Sequence, residues 1–176
     1  MDIQEHHTPI AIRAEVKPGD LGYITYLHGT LYANEYGLDC TFEGYVAESL
    51  ARFALSFDGR KDRLWIAERH RQIVGSIGVV GLTAAEAQLR WFLVHPGCRG
   101  RGLGHSLLQA ALQFCRERDL TSVFLWTFSE LQAAAYLYRS AGFQKTEQQT
   151  HVIWGRLLTE ERYDLSLRDT PEQAQA

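Results

Sequence analysis

The sequence is poor in the residues that would tie it to a metal, an oxidising compartment or a lipid bilayer. Cysteine occurs only three times in 176 residues, at Cys40, Cys98 and Cys115. The odd number and the absence of a CxxC pair suggest neither a disulfide framework nor a zinc site. The seven histidines lack HxxxH or HExxH spacing: His6 and His7 are adjacent, and His28, His70, His95, His105 and His151 are scattered, so no metal is expected. No apolar run approaches the length of a membrane span, and the opening MDIQEHHTPI has no apolar signal-like core. A soluble, cytoplasmic protein with no membrane partner is therefore expected. An excess of basic charge is also missing. A formal net charge of −3 and a pI near 6.2 argue against a nucleic-acid partner. With four prolines and no repeat, low-complexity block or linker, the chain reads as one domain over 1–176, with a disordered polar tail at 169–176.

What the chain does have is 45% hydrophobic residues arranged in clear periods. Ile10 to Val16 reads as a short strand ended by Lys17-Pro18-Gly19. Asp20 is a plausible N-cap for a helix to about Glu35, with Leu21, Ile24, Leu27, His28 and Leu31 on one face and Gly37 as its stop. A second helix runs from about Phe42 to Phe57, carrying Phe42, Val46, Leu50 and Phe53 at helical spacing. Arg63 to Arg69 and Ile73 to Leu82 form a hairpin through His70-Arg71-Gln72. Gly75 and Gly78 weaken the second of these strands unless something approaches its backbone. Ser122 to Thr127 is another strand. Ser129 with Gln132 reads as a capping box for a helix closed by Gly142, and two strands fill Gln144 to Leu167.

The most informative stretch runs from Leu89 to Glu117. Trp91-Phe92-Leu93-Val94 reads as a strand buried on both faces, stopped by His95-Pro96-Gly97. Arg99-Gly100-Arg101-Gly102-Leu103-Gly104 follows, and then a helix with Leu103, Leu107, Leu108, Ala111, Leu112 and Cys115 on one face. A strand, a glycine-rich turn and a helix N-terminus bring backbone N–H groups together on an anion. The glycines fall as GxGxG, so the dinucleotide fingerprint GxGxxG does not fit. No Lys-Ser or Lys-Thr follows them, so the nucleotide P-loop does not fit either.

With Arg99, Gly102 and Gly104 in place after a strand ending in Val-x-Pro, this loop resembles the acyl-CoA pyrophosphate loop of the GNAT superfamily of N-acyltransferases. Leu137-Tyr138-Arg139-Ser140-Ala141-Gly142-Phe143 is similar to the Leu-Tyr-x-x-x-Gly-Phe segment of that family. The element order β-α-α-β-β-β-α-β-α-β-β is similar to its fold from end to end. Arg90 to Phe143 also resembles acetyltransferase domains sometimes fused to winged-helix regulators. The resemblance implies an α/β (α+β) fold with a mixed, mostly antiparallel sheet of about six to seven strands and about four helices.

The resemblance further implies direct transfer of an acetyl group from acetyl-CoA, without a metal, to a primary amine on a small molecule or peptide. Arg99, Gly100, Arg101, Gly102, Leu103, Gly104 and His105 would hold the pyrophosphate, and the backbone of Leu93 and Val94 would pair with the pantetheine arm. Tyr138 would protonate the departing thiolate, against the alternative that it is a core aromatic. Gln88 stands where family members often carry a glutamate, so Glu86, two residues earlier on the same strand face, is the candidate base, directly or through water. The alternative is an exposed strand-end charge. Arg90 shares that face and would favour an acidic acceptor. Leu131 replaces an asparagine found in many members. Tyr23, Tyr26, His28, Tyr32, Glu35 and Tyr36 make an aromatic-rich helix suited to lining an amine pocket. A non-catalytic acyl-CoA-binding or regulatory module is the competing function, and an exposed C-terminal edge strand suggests a homodimer.

Overall fold

The computed structural model describes residues 9–168. The expected tail at 169–176, like His6 and His7, lies outside them. The elements follow the expected order: β1 (Ala11–Arg13), α1 (Asp20–Tyr36), α2 (Cys40–Leu55), β2 (Arg63–Arg69), β3 (Gln72–Gly81), β4 (Glu86–Val94), α3 (Leu103–Glu117), β5 (Ser122–Phe128), α4 (Gln132–Ser140), β6 (Gln144–Ile153) and β7 (Arg156–Ser166). They build one seven-stranded sheet in the order β1-β2-β3-β4-β5-β7-β6. Every neighbouring pair is antiparallel except β4 and β5, which a helical crossover through α3 makes parallel. Helices cover both faces. Leu103, Leu107, Leu108, Ala111 and Cys115 of α3 fill one core together with Ala135 and Tyr138 of α4. Ile24 and Leu27 of α1 fill the other with Phe42, Val46, Leu50 and Phe53 of α2.

Local details correct several expectations. Asp20 is the first residue of α1 rather than its cap, a position that Gly19 takes at φ 97°. The Asp20 carboxylate instead accepts the Lys17 amide at 2.7 Å and a two-pronged guanidinium contact from Arg13 at 2.7 and 2.9 Å, which ties β1 to α1. Burial works to raise its pKa, but these bonds prevail and hold it below the ordinary aspartate value. α2 begins at Cys40 because Asp39 caps it through the Thr41 amide at 2.9 Å. Ser129 caps nothing. Its amide bonds Thr159 and extends the β5–β7 ladder, and α4 starts at Gln132 without a side-chain cap. The β2–β3 connection is a tight two-residue turn with φ 52° at His70 and 64° at Arg71.

The expectation of a strand buried on both faces fails at β4. Its buried residues are Ala87, Leu89, Trp91 and Leu93, and the residues between them are only half buried. A bulge explains the pattern. Ser76 pairs with Leu93 but Gly78 pairs with Arg90, so one residue of β3 faces two of β4. Trp91 takes φ 49° there. As a result Ala87 and Leu89 point into the α3 core, while Trp91 and Leu93 point into the α1–α2 core. Three contacts fix the bulge: the Ser76 hydroxyl donates to the Trp91 carbonyl at 2.6 Å, the indole N–H donates to Ser49 on α2 at 2.9 Å, and the ring lies over Gly78.

A β-carbon on Gly78 would stand 2.5 Å from the Trp91 ring. Gly78→Ala is therefore expected to lower unfolding free energy by about 1–3 kcal/mol through overpacking. Gly44→Ala, on the open face of α2 where nothing lies within 4 Å, is expected to raise it by about 0.5–1 kcal/mol. Urea melts of both variants check the two signs.

Candidate active site

The parallel ladder between β4 and β5 runs only from Glu86↔Ser122 to Gln88↔Phe124. Beyond it the Trp91 bulge carries β4 away from β5, and the gap is filled by two cavities. One, of about 380 Å³, lies against Phe92, Leu93, Val94, Arg99, Gly100 and Gly104 on one side and α4 on the other. The second, of about 130 Å³, lies deeper between β4 and the Leu125–Phe128 end of β5. Tyr32, Phe92, Leu131 and Ala134 line both, so the two cavities share a wall.

The first cavity opens on the glycine-rich loop. A short 3₁₀ turn over Pro96–Cys98 follows β4, and Gly100 and Gly102 then take φ 72° and 80°. A β-carbon on either would meet nothing within 4 Å, so the backbone there is bare to any approaching group. Gly102 caps α3 without a side-chain bond, which leaves the first-turn amides to an outside acceptor at the positive end of the helix dipole. This arrangement fits a pyrophosphate. Arg99 stands beside it: Nε donates to the Val94 carbonyl at 3.0 Å, and the two terminal nitrogens grip Glu35 of α1 at 2.7 and 2.8 Å. Arg101 and His105 are exposed and line neither cavity, and Leu103 is buried in the core below.

The second cavity is walled by rings, among them Phe42, Tyr45, Trp126 and Trp154, with several polar groups set between them. Tyr138, only 5% exposed, lines it from α4, with Phe92, Phe143 and Tyr163 each 6.0 Å away between ring centroids. Burial drives the Tyr138 phenol well above the ordinary tyrosine value. Glu160 of β7 is the one carboxylate among the lining residues, and its Oε2 takes a 2.5 Å contact from His151. Thr127 places a buried hydroxyl with no hydrogen-bond partner among the described residues. His28 is 3% exposed and stacks on Tyr32 at 5.8 Å. Its Nδ1 donates to the Ile24 carbonyl at 2.9 Å, which leaves Nε2 as the acceptor nitrogen. Burial lowers its pKa to about 4, so the ring is neutral near pH 7.

Glu86 stands apart. It opens β4, lines neither cavity, and lies 3.7 Å from Arg162 on β7. Gln88 and Arg90, from the same strand, do line the inner cavity. Sequence reasoning missed Glu160, Thr127 and Trp154. Glu160 has no local signal, because only the β5–β7 pairing of Phe128 with Glu160 brings β7 to the cleft, and Thr127 reads locally as one more residue of the β5 strand. Trp154 held a weak one, an aromatic beside Gly155 at a hairpin tip, where it takes φ 52°.

The comparisons agree with this geometry. Residues 31–143 match the family model described as the acetyltransferase (GNAT) family. N-acetyltransferase 8B of Homo sapiens is 34% identical over 99 residues, 53% of this chain and 44% of that protein. Probable N-acetyltransferase camello of Xenopus laevis is 31% identical over 132 residues, 70% of this chain and 59% of that protein. The chain thus spans about half the length of the curated relatives it matches. An acetyltransferase from Streptococcus agalactiae superposes with a TM-score of 0.75 at 22% identity, covering 90% of this chain and 98% of the other. A putative acetyltransferase from Salmonella typhimurium, solved with its cofactor acetyl-CoA, gives 0.70 at 19% identity, with 90% and 94% covered. At these identities the structural likeness concerns the fold.

The buried His28 makes stability depend on pH in a stated direction. Its pKa falls from an ordinary 6.5 to about 4 on folding, so between those values the unfolded chain takes a proton that the folded chain refuses. Stability is therefore expected to fall as pH drops through that window, by on the order of 2–3 kcal/mol from this group. His28→Gln is expected to flatten the dependence. Denaturant melts from pH 7.5 down to pH 4 measure it. Asp20 and Asp164, whose folded pKa values are lowered from 3.8, lose their contribution only at the acid end of that range and below.

Proposed function

This chain belongs to the acetyltransferase (GNAT) family, and from that premise we propose that it is an N-acetyltransferase using acetyl-CoA and a primary amine. The observation that carries the reading is the shared wall: an anion-suited loop opens on one cavity, and a buried phenol and a carboxylate line the other. Bound acetyl-CoA would supply an acetyl thioester, with its sulfur leaving as the thiol.

Each residue then has a physical task. The amides from Arg99 to His105, at the N-terminus of α3, receive the pyrophosphate, with Arg99 and Arg101 adding positive charge around the loop. The backbone of Leu93 and Val94, lining the outer cavity where β5 has diverged, offers hydrogen bonds to an extended amide-containing arm. Tyr138 holds its proton throughout the working pH range and donates it toward the departing sulfur. Glu160, directly or through a water, takes the proton that the attacking ammonium must lose. Glu86 is the alternative base, but the Arg162 contact and its place outside the cavity favour Glu160. A carboxylate in the inner cavity also supports catalysis over a purely acyl-CoA-binding role.

Calorimetric titration with acetyl-CoA, beside NADH as a control, tests the first half. Binding is expected for acetyl-CoA only, weakened about tenfold or more by Arg99→Ala and abolished by Gly102→Asp, which puts a side chain and a negative charge on a bare, left-handed position. Absence of acetyl-CoA binding would overturn the reading.

Thiol release with amine acceptors tests the second half. Tyr138→Phe is expected to lower kcat by about 100-fold or more with little change in acetyl-CoA affinity. Full activity in this variant would remove Tyr138 from the mechanism.

A further inference from the structure

The inner cavity has one guanidinium among its lining residues, that of Arg90. Two rings and one bond hold it: it lies 5.5 Å from the Tyr45 ring centroid and 5.3 Å from that of Trp91, and it donates to the Tyr45 hydroxyl at 2.9 Å. Arg13, Arg99, Arg156 and Arg162 all have carboxylate partners. Among the described residues Arg90 has none within ion-pair distance. A half-buried guanidinium, oriented by packing and short of a counter-charge, is poised for an anion that enters the cavity.

The negative charge of the cavity lies across the gap. β4 and β5 part after Gln88↔Phe124, Arg90 follows on β4, and Glu160 sits on β7 opposite Phe128. Both contacts to the Glu160 carboxylate, from His151 at 2.5 Å and Gln149 at 3.4 Å, fall on Oε2. Oε1 is left for a further donor. The cavity thus has a cationic wall, an anionic wall and aromatic rings, with Phe42, Tyr45 and Trp154 packed at 4.9 to 6.5 Å between centroids.

Resting on the acetyl-transfer reading above, we propose that Arg90 binds a carboxylate on the acceptor, so that the acceptors are amino carboxylates with an apolar side chain. The ammonium faces Glu160, the carboxylate faces Arg90 and the apolar group lies among the rings. Arg90 is then a specificity-determining residue. A guanidinium that only covers the aromatic cluster would support packing equally for every acceptor, whereas one that binds a carboxylate discriminates between amines that differ in that group alone.

Two matched pairs make the test: L-phenylalanine against 2-phenylethylamine, and L-leucine against 3-methylbutylamine. Acetyl transfer is followed by thiol release, and binding of N-acetyl-L-phenylalanine to the CoA-loaded protein by calorimetry. The amino acid of each pair is expected to show a kcat/KM about 10- to 100-fold above its partner, the range for a hydrogen-bonded charged group. Arg90→Gln should collapse that ratio toward one and abolish N-acetyl-L-phenylalanine binding, and Arg90→Lys should restore part of both. Equal or better use of the amines lacking carboxylate, or a ratio unchanged in Arg90→Gln, overturns the inference. So does acetyl-CoA binding with transfer to no member of either pair, an outcome that leaves the acetyl-CoA reading standing. Failure to bind acetyl-CoA at all is the separate result that overturns the reading itself.

Discussion

The Trp91 bulge is the constraint on which the cleft depends. A tryptophan at φ 49° costs roughly 1–2 kcal/mol relative to ordinary strand backbone. That cost persists because the indole is almost wholly buried, its N–H is bonded to Ser49, and its carbonyl is bonded to Ser76. Burial of so large a side chain returns more than the strain takes. Without the extra residue, β4 would continue its parallel ladder with β5 and the two cavities would close. The bulge also inverts the facing of every residue after it, so Phe92 and Val94 pack on the side of the α3 core while Leu93 is buried in the α1–α2 core.

An acidic chain with a net charge of −3 is a poor general partner for anions, so any anion site must be local. The glycine-rich loop meets that need by geometry more than by net charge, through bare backbone amides at the start of a 15-residue helix. Arg99 is held there by Glu35, a bidentate pair with 45% and 26% side-chain exposure. Pairs this exposed contribute about 0–1 kcal/mol. Glu35 can therefore keep the guanidinium in place without competing seriously against a doubly charged phosphate oxygen cluster.

The fold was legible because its signals are local. Glycine at the end of α1, the two-residue turn between β2 and β3, and the apolar stripes of α2 and α3 each act within a few residues of chain. The glycine-rich loop was legible for the same reason, since strand, turn and helix N-terminus are contiguous. What failed was of two kinds. Asp20 and Ser129 have the right chemistry for caps but are claimed by partners outside their helices, Arg13 and Lys17 in one case and the β5–β7 ladder in the other. The alternating burial at the C-terminal end of β4 was hidden because the half-buried Phe92 and Val94 are apolar: they face a cleft, and composition cannot tell a cleft from a core. The inner cavity is assembled from α1, α2, β4, β5, α4 and the β6–β7 hairpin. Glu160 enters it only through sheet topology, and no spacing rule reaches across some 70 residues from β4.

Tyr138 shows how packing and chemistry can require the same residue. As sequence it lies on the apolar face of a helix, and in the fold three aromatic neighbours surround it. That burial raises its pKa above the ordinary 10, whereas a free thiol ionises near 8.5. Proton transfer from such a phenol to a thiolate is uphill when the two are taken alone. In the role proposed for it, Tyr138 therefore contributes less as an acid than as a donor whose O–H is aimed in advance at the developing charge. The sulfur gains its proton as the attacking nitrogen loses one, so the net proton balance runs from ammonium to thiol. A fixed donor is most effective where water is excluded and reorientation is prevented, and a side chain only 5% exposed in the lining of the inner cavity meets both conditions.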